Sequence, residues 1–124
     1  MQVRVFHNIA RDEDGRHAGG DVGYQPGHPV VLVVEFSLAA PADQAQSMLD
    51  LVYHELNVDR PQQHWARTYR DRGNRSLSTG DVVGINELFY ACASTGWTRL
   101  DQPPIQTVPG SATHGTTPWA TEPA

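Results

Sequence analysis

The hydrophobic pattern divides the chain into short alternating stretches, one helical stripe and long polar intervals. Val3 and Val5 alternate with Arg4, so Gln2–His7 predicts a short first strand. Residues 8–29 are polar and Gly-rich and read as a long loop, a length that usually marks function or mobility. Val30–Leu38 carries the strongest strand signal: Val30, Leu32, Val34, Phe36 and Leu38 fall on one face, Val31 and Val33 on the other. Apolar residues on both faces predict a central strand.

Pro41 suits the first turn of a helix. Beyond it, Met48, Leu49, Val52, Tyr53 and Leu56 recur at helical spacing, forming a stripe able to cover a sheet, and Asn57 ends it. Asp59 is placed to cap a second, shorter helix with Pro61 in its first turn and Trp65 and Tyr69 one turn apart. Gly73-Asn74 stops that helix. Val82–Ile85 and Leu88–Ala93 then read as a hairpin turning at Asn86-Glu87. Gly96 allows another turn before a short strand at Trp97–Leu100.

These elements predict an α+β fold: a small mixed or antiparallel sheet of about four strands packed by one main helix and one short helix. The expected domain is residues 1–100. Residues 101–124 are Pro/Thr-rich, without helical or alternating pattern, and read as a disordered tail. The expected core contains Val5, Leu32, Val34, Phe36, Leu49, Val52, Leu56, Trp65, Val82, Ile85, Tyr90 and Cys92.

A length of 124 residues fits one domain. Eleven glycines, nine prolines and only 19% charged residues exclude a coiled coil and a helical repeat. The longest apolar run, Val30–Val34, is far short of the ~20 residues of a membrane span. Gln2–Asn8 lacks the layout of a signal peptide. We therefore expect a soluble, cytoplasmic protein with no membrane partner.

Charge adds one local feature. All nine basic residues are arginines, which agrees with a GC-rich host and also suits guanidinium recognition of phosphate or carboxylate. The net charge of −5 argues against a nucleic-acid-binding domain. Within Arg60–Arg75, however, five arginines face Asp71 alone. At 100° per residue, Arg67 and Arg70 lie about 200° and about 140° from Trp65, on the side away from the core. Arg67, Arg70, Arg72 and Arg75, with Ser76 and Ser78 in the following loop, are the candidates for anion or partner contact.

Catalytic and metal chemistry finds little support. Cys92 is the only cysteine and sits on a strand among apolar neighbours, where a structural thiol is expected. His7, His17, His28, His54, His64 and His114 include no close-spaced ligand pair, so no metal site is expected. His54 and Glu55 on the main helix, and Asp12, Glu13 and Asp14 in the long loop, read as solvated. Asp81, after Gly80, suits a turn whose carboxylate accepts local backbone N–H groups, with a catalytic acid as the alternative. Gly73–Gly80 lacks phosphate-loop spacing. We expect no catalytic set and no cofactor.

Gly73–Leu100, GNRSLSTGDVVGINELFYACASTGWTRL, resembles the end of YodL-like domains, where a Ser-Leu-Ser run and an Asp-Val-Val run precede a hairpin and a Tyr…Gly-aromatic close. The matching positions are Ser76, Leu77, Ser78, Asp81, Val82, Val83, Tyr90, Gly96 and Trp97. Residues 1–100 also resemble small uncharacterised actinobacterial proteins that share Arg4–Asn8 and Tyr24–Pro29. One departure is Asn86-Glu87, where such proteins tend to have Asp-Gly. The resemblance implies an accessory protein of phage, plasmid or conjugative-element type and assigns no mechanism.

Three functional readings follow. The first is a non-enzymatic interaction domain with an unidentified protein partner. The second is a nucleic-acid or phosphate-ligand binder using the Arg60–Arg75 segment. The third is an enzyme built from His7, Asn8, His28 or Asp81, which requires those residues to share one site.

Overall fold

The computed structural model describes residues 1–11, 13–15, 18–19, 23–39 and 44–107. The expected helix opening at Pro41, the residues Asp12, His17 and His114, and the tail beyond residue 107 lie outside the described residues.

Six strands form one curled sheet: β1 (Gln2–Asn8), β2 (Pro29–Ser37), β3 (Val82–Ile85), β4 (Leu88–Cys92), β5 (Trp97–Arg99) and β6 (Ile105–Gln106). Their order is β5-β4-β3-β1-β2-β6. Two helices, α1 (Ala45–Asn57) and α2 (His64–Asp71), connect β2 to β3. The architecture is α+β, as the pattern predicts, but about four strands was an undercount. β6 was missed because it is two residues long and follows Pro103-Pro104. It pairs in parallel with the start of β2, Pro29 opposite Ile105 and Val30 opposite Gln106. Ile105 and Gln106, assigned to the tail, therefore belong to the sheet.

β1 pairs antiparallel with both β2 and β3, so it is central. A bulge offsets its pairing with β2: Val5 opposes Val34, whereas Phe6 opposes Leu32. The extra residue, Val33, breaks the single-face alternation expected over Val30–Leu38. Val34 and Phe36 consequently join the core beneath the helices, while Val30 and partly buried Leu32 pack on the other side with Phe6, Val82 and Phe89.

The helix-side core joins Val3, Val5, Val83 and Ile85 of the sheet to Leu49, Val52 and Leu56 of α1 and to Trp65 and Tyr69 of α2. Phe36 and Trp65 stack with centroids 4.2 Å apart and planes 9° apart. Ten of the twelve expected core residues are buried, and Leu32 and Tyr90 are only partly so.

The second helix starts later than expected. Asp59 and Pro61 lie in the connection, and Gln63 is the N-cap without a side-chain cap. The helix start is met instead by Glu55 from α1, whose Oε1 accepts the backbone N–H groups of Gln62 and Gln63 at 2.7 and 2.6 Å. A carboxylate at this position also opposes the positive end of the helix dipole. Glu55, expected to be solvated, is thus buried at 4% exposure. The hairpin turns at Asn86-Glu87, with Asn86 at φ 54°, a conformation that Asn tolerates better than most side chains. The Asn86 Oδ1 accepts the Gln2 N–H at 2.9 Å, tying the turn to β1.

Candidate polar site at the end of the central strands

β1 ends in two polar residues, His7 and Asn8, which are 8% and 1% exposed. Antiparallel pairing sets the end of β1 beside the start of β3, because Phe6 opposes Val82. Asp81, the residue before β3, is therefore brought to Asn8. The loop ahead of β2 supplies His28 to the same place. Residues far apart in sequence thus form one buried polar cluster.

Asp81 is fully buried, and both its oxygens are occupied. Oδ1 accepts the Asn8 backbone N–H at 2.8 Å and Oδ2 accepts that of Ser78 at 2.8 Å. Arg75 adds a two-pronged ion pair, its Nη1 2.7 Å from Oδ2 and its Nη2 2.8 Å from Oδ1. These four short bonds match the four acceptor positions of a carboxylate, and the Ser78 hydroxyl adds a longer contact to Oδ2 at 3.4 Å. The bond to Asp81 raises the Arg75 guanidinium pKa above its ordinary value. Arg75 also donates to the Ser76 carbonyl at 3.0 Å and reaches the Ser78 hydroxyl at 3.2 Å. The turn reading of Asp81 captured the local Ser78 bond; the bond to Arg75 spans the same loop, and the bond to Asn8 is tertiary.

The Asn8 side chain is equally committed. Its amide nitrogen donates to the Gly80 carbonyl at 3.0 Å and to His28 Nδ1 at 3.1 Å, and its oxygen accepts the Ala10 N–H at 2.9 Å. His28 Nδ1 also accepts the Gln25 backbone N–H at 3.1 Å, so this nitrogen carries no proton. Gly19 and Gly80 approach so closely that a Cβ on Gly80 would stand 2.7 Å from the Gly19 carbonyl oxygen.

A second chain of bonds runs through Tyr69, which the sequence placed only beside Trp65 on the core-facing side of the second helix. Its hydroxyl donates to the Arg75 carbonyl, and His7 Nε2 lies 2.5 Å from the Tyr69 hydroxyl oxygen. A hydroxyl has one proton, so His7 Nε2 is the donor in this pair. Burial, then the nearby Asp81 charge, raise the Tyr69 pKa well above the ordinary tyrosine value.

The remaining candidates are dispersed. Arg67 Nη1 donates to the Gln62 carbonyl at 2.7 Å, and Arg70 donates to the Val58 carbonyl, both holding the α1–α2 connection. Arg72 is exposed at the end of α2. Ser76 is exposed and Leu77 is buried in the helix-side core. Tyr90 and Trp97 are partly buried against that core, and Gly96 occupies the turn before β5 at φ 77°. None of these three is among the cluster's bonding partners given above.

His7, Asn8, His28 and Asp81 do come together, as an enzyme reading requires. Their bonds, however, join loops and strand ends to one another. Among the described residues no group of three His, Cys, Asp or Glu is placed to hold a metal ion. No described helix is long and apolar enough to cross a membrane.

The other notable feature is a cleft of about 560 Å³ between the two edges of the sheet. Thr98 and Arg99 of β5 and Ile105 of β6 line it, with Tyr24, Pro26, Gly27 and the connecting residues 100–103, which include the polar Asp101 and Gln102, completing it. Ile105 is 56% exposed, the most exposed large apolar side chain of the described residues. Comparison with protein-family models, with curated proteins and with solved structures finds no match to this chain.

Proposed function

We propose that this chain is a non-enzymatic protein-interaction domain, a cytoplasmic accessory protein of the YodL-like, mobile-element type. In this reading its partner lays an extended segment into the cleft between β5 and β6. The observation that carries the reading is the cleft: two sheet edges border it, and apolar Tyr24, Leu100, Pro103 and Ile105 line it. Edge strands offer backbone groups for an added strand, while neighbouring apolar pockets select its side chains.

The polar cluster supports this assignment indirectly. Asp81, Asn8 and Tyr69 engage groups of their own chain, so these three residues act as a frame for the sheet ends. The same argument weakens the phosphate-binding alternative. Arg67, Arg70 and Arg75 donate to Gln62, Val58 and Asp81 of their own chain.

Selection of a displayed random-peptide library on the full chain tests the proposal. Wild type should enrich extended, apolar-containing peptides that the exposed-site variant Ile105→Arg does not retain. Equal retention by Ile105→Arg would remove the cleft as the site. Salt-sensitive binding of single-stranded DNA or RNA, lost on charge reversal of Arg67 and Arg70, would favour the nucleic-acid alternative.

A further inference from the structure

We propose a second ligand site, for an alkylated ammonium group, in the hollow between α1 and the β4–β5 turn. The hollow has a volume of about 300 Å³, at the lower end of small-ligand pockets, and shares no lining residue with the cleft at the sheet edges. Its walls are Tyr53 and Trp97, whose rings stand at 90° with centroids 6.3 Å apart. The contact is edge to face rather than a parallel stack, so neither ring covers the other face to face. Asp50 lies one helical turn before Tyr53, on the same side of α1, and lines the same hollow. Cys92, Ala93, Ser94 and Gly96 complete the lining, which contains no basic side chain.

This set selects its ligand by charge and by hydration. The negative faces of Tyr and Trp attract a cation, and the Asp50 carboxylate adds a full negative charge. An anion would be repelled by the same carboxylate. A bare ammonium would surrender strong hydrogen bonds to water for weak contacts with ring faces. A methylated ammonium spreads its charge over apolar methyl groups that those faces match. Tyr53 is 44% exposed, an unusual position for an aromatic residue on the core-facing helix, so a ligand can reach the corner without unfolding the chain.

Two sources supply this chemistry: a free trimethylammonium compound and a methylated lysine on a protein. The test is a titration of the isotope-labelled full chain with choline, followed through amide and Trp97 indole NMR signals. The control is 3,3-dimethyl-1-butanol, the neutral isostere of choline. Choline should shift signals of Asp50, Tyr53 and residues 93–97 saturably in the millimolar range, and the isostere should not. Asp50→Asn and Tyr53→Ala, both at exposed positions, should each weaken choline binding about fivefold or more. A trimethyllysine peptide binding more tightly than choline assigns the ligand to a modified protein; weaker or equal binding assigns it to a free small cation. Both results support the site. Equal shifts from the isostere, no saturable shift, or unchanged affinity in Asp50→Asn and Tyr53→Ala would overturn it.

Discussion

Arg75 and Asp81 meet through paired N–H···O bonds of 2.7 and 2.8 Å, with the carboxylate fully buried and the guanidinium side chain 41% exposed. The asymmetry defines the pair's role. Arg75 keeps part of its contact with water, whereas Asp81 depends entirely on the protein for its hydrogen bonds. The carboxylate therefore organises the start of β3, the end of β1 and the loop after α2 around one point.

Replacing that carboxylate should destabilise the fold. Asp81→Asn keeps the shape but turns one acceptor into a donor, which then opposes a donor of Asn8, Ser78 or Arg75. The expected loss is about 3 kcal/mol, within the range for breaking a buried charged network. Urea unfolding should show a lower midpoint with little change in slope. An unchanged midpoint would mean that the cluster does not support the sheet ends.

Gly80 is needed both for its backbone conformation and for its missing side chain. Its φ is +95°, and an added Cβ would meet the Gly19 backbone. Gly15, at φ +80°, has open space where a Cβ would go, so it isolates the conformational part. Gly15→Ala should cost about 1 kcal/mol, and Gly80→Ala distinctly more. Equal midpoints in thermal unfolding would show that the close approach of the two loops contributes nothing.

Cys92 and Tyr69 make stability fall in alkali. Burial, then the Asp81 charge, raise the Cys92 thiol from 9.0 to about 11. The Tyr69 hydroxyl moves upward for the same two causes. Both groups are neutral when protonated, and folding holds the proton. Above about pH 9 the unfolded chain loses protons that the folded chain keeps, so stability is full below that pH and declines as pH rises towards 11. Urea midpoints measured from pH 8 upward should show this decline. In the native state Cys92 should react slowly with a thiol reagent at pH 8 and rapidly only after unfolding. Fast native labelling would place the thiol outside the core.

Much of the fold was legible because its elements obey simple periods. The stripe from Met48 to Leu56 gave α1, and Trp65 with Tyr69 gave the buried side of α2. The alternation in Val30–Leu38 gave β2 but not its bulge, since one extra residue is visible only against the partner strand. β6 was hidden because two residues carry no period. The candidate site was legible only in pieces. His7-Asn8, His28 and Ser78–Asp81 each stood out, but their meeting depends on which strands pair, and local pattern does not encode that. Tyr69 and Glu55 were missed as polar partners for a different reason: each bonds to backbone a loop further along the chain, whose path a hydrophobic period does not give. The corner formed by Tyr53 and Trp97 joins a helix to a strand 44 residues away.

The central claim is that the cleft between the sheet edges receives a partner's extended segment while the polar cluster frames the fold. The most direct test titrates a library-selected peptide into the isotope-labelled full chain and maps the amide shifts. The account predicts saturable shifts at Tyr24, Thr98–Leu100 and Ile105, abolished by Ile105→Arg. Shifts confined to residues 67–78, with the Ile105→Arg variant binding as wild type does, would contradict it.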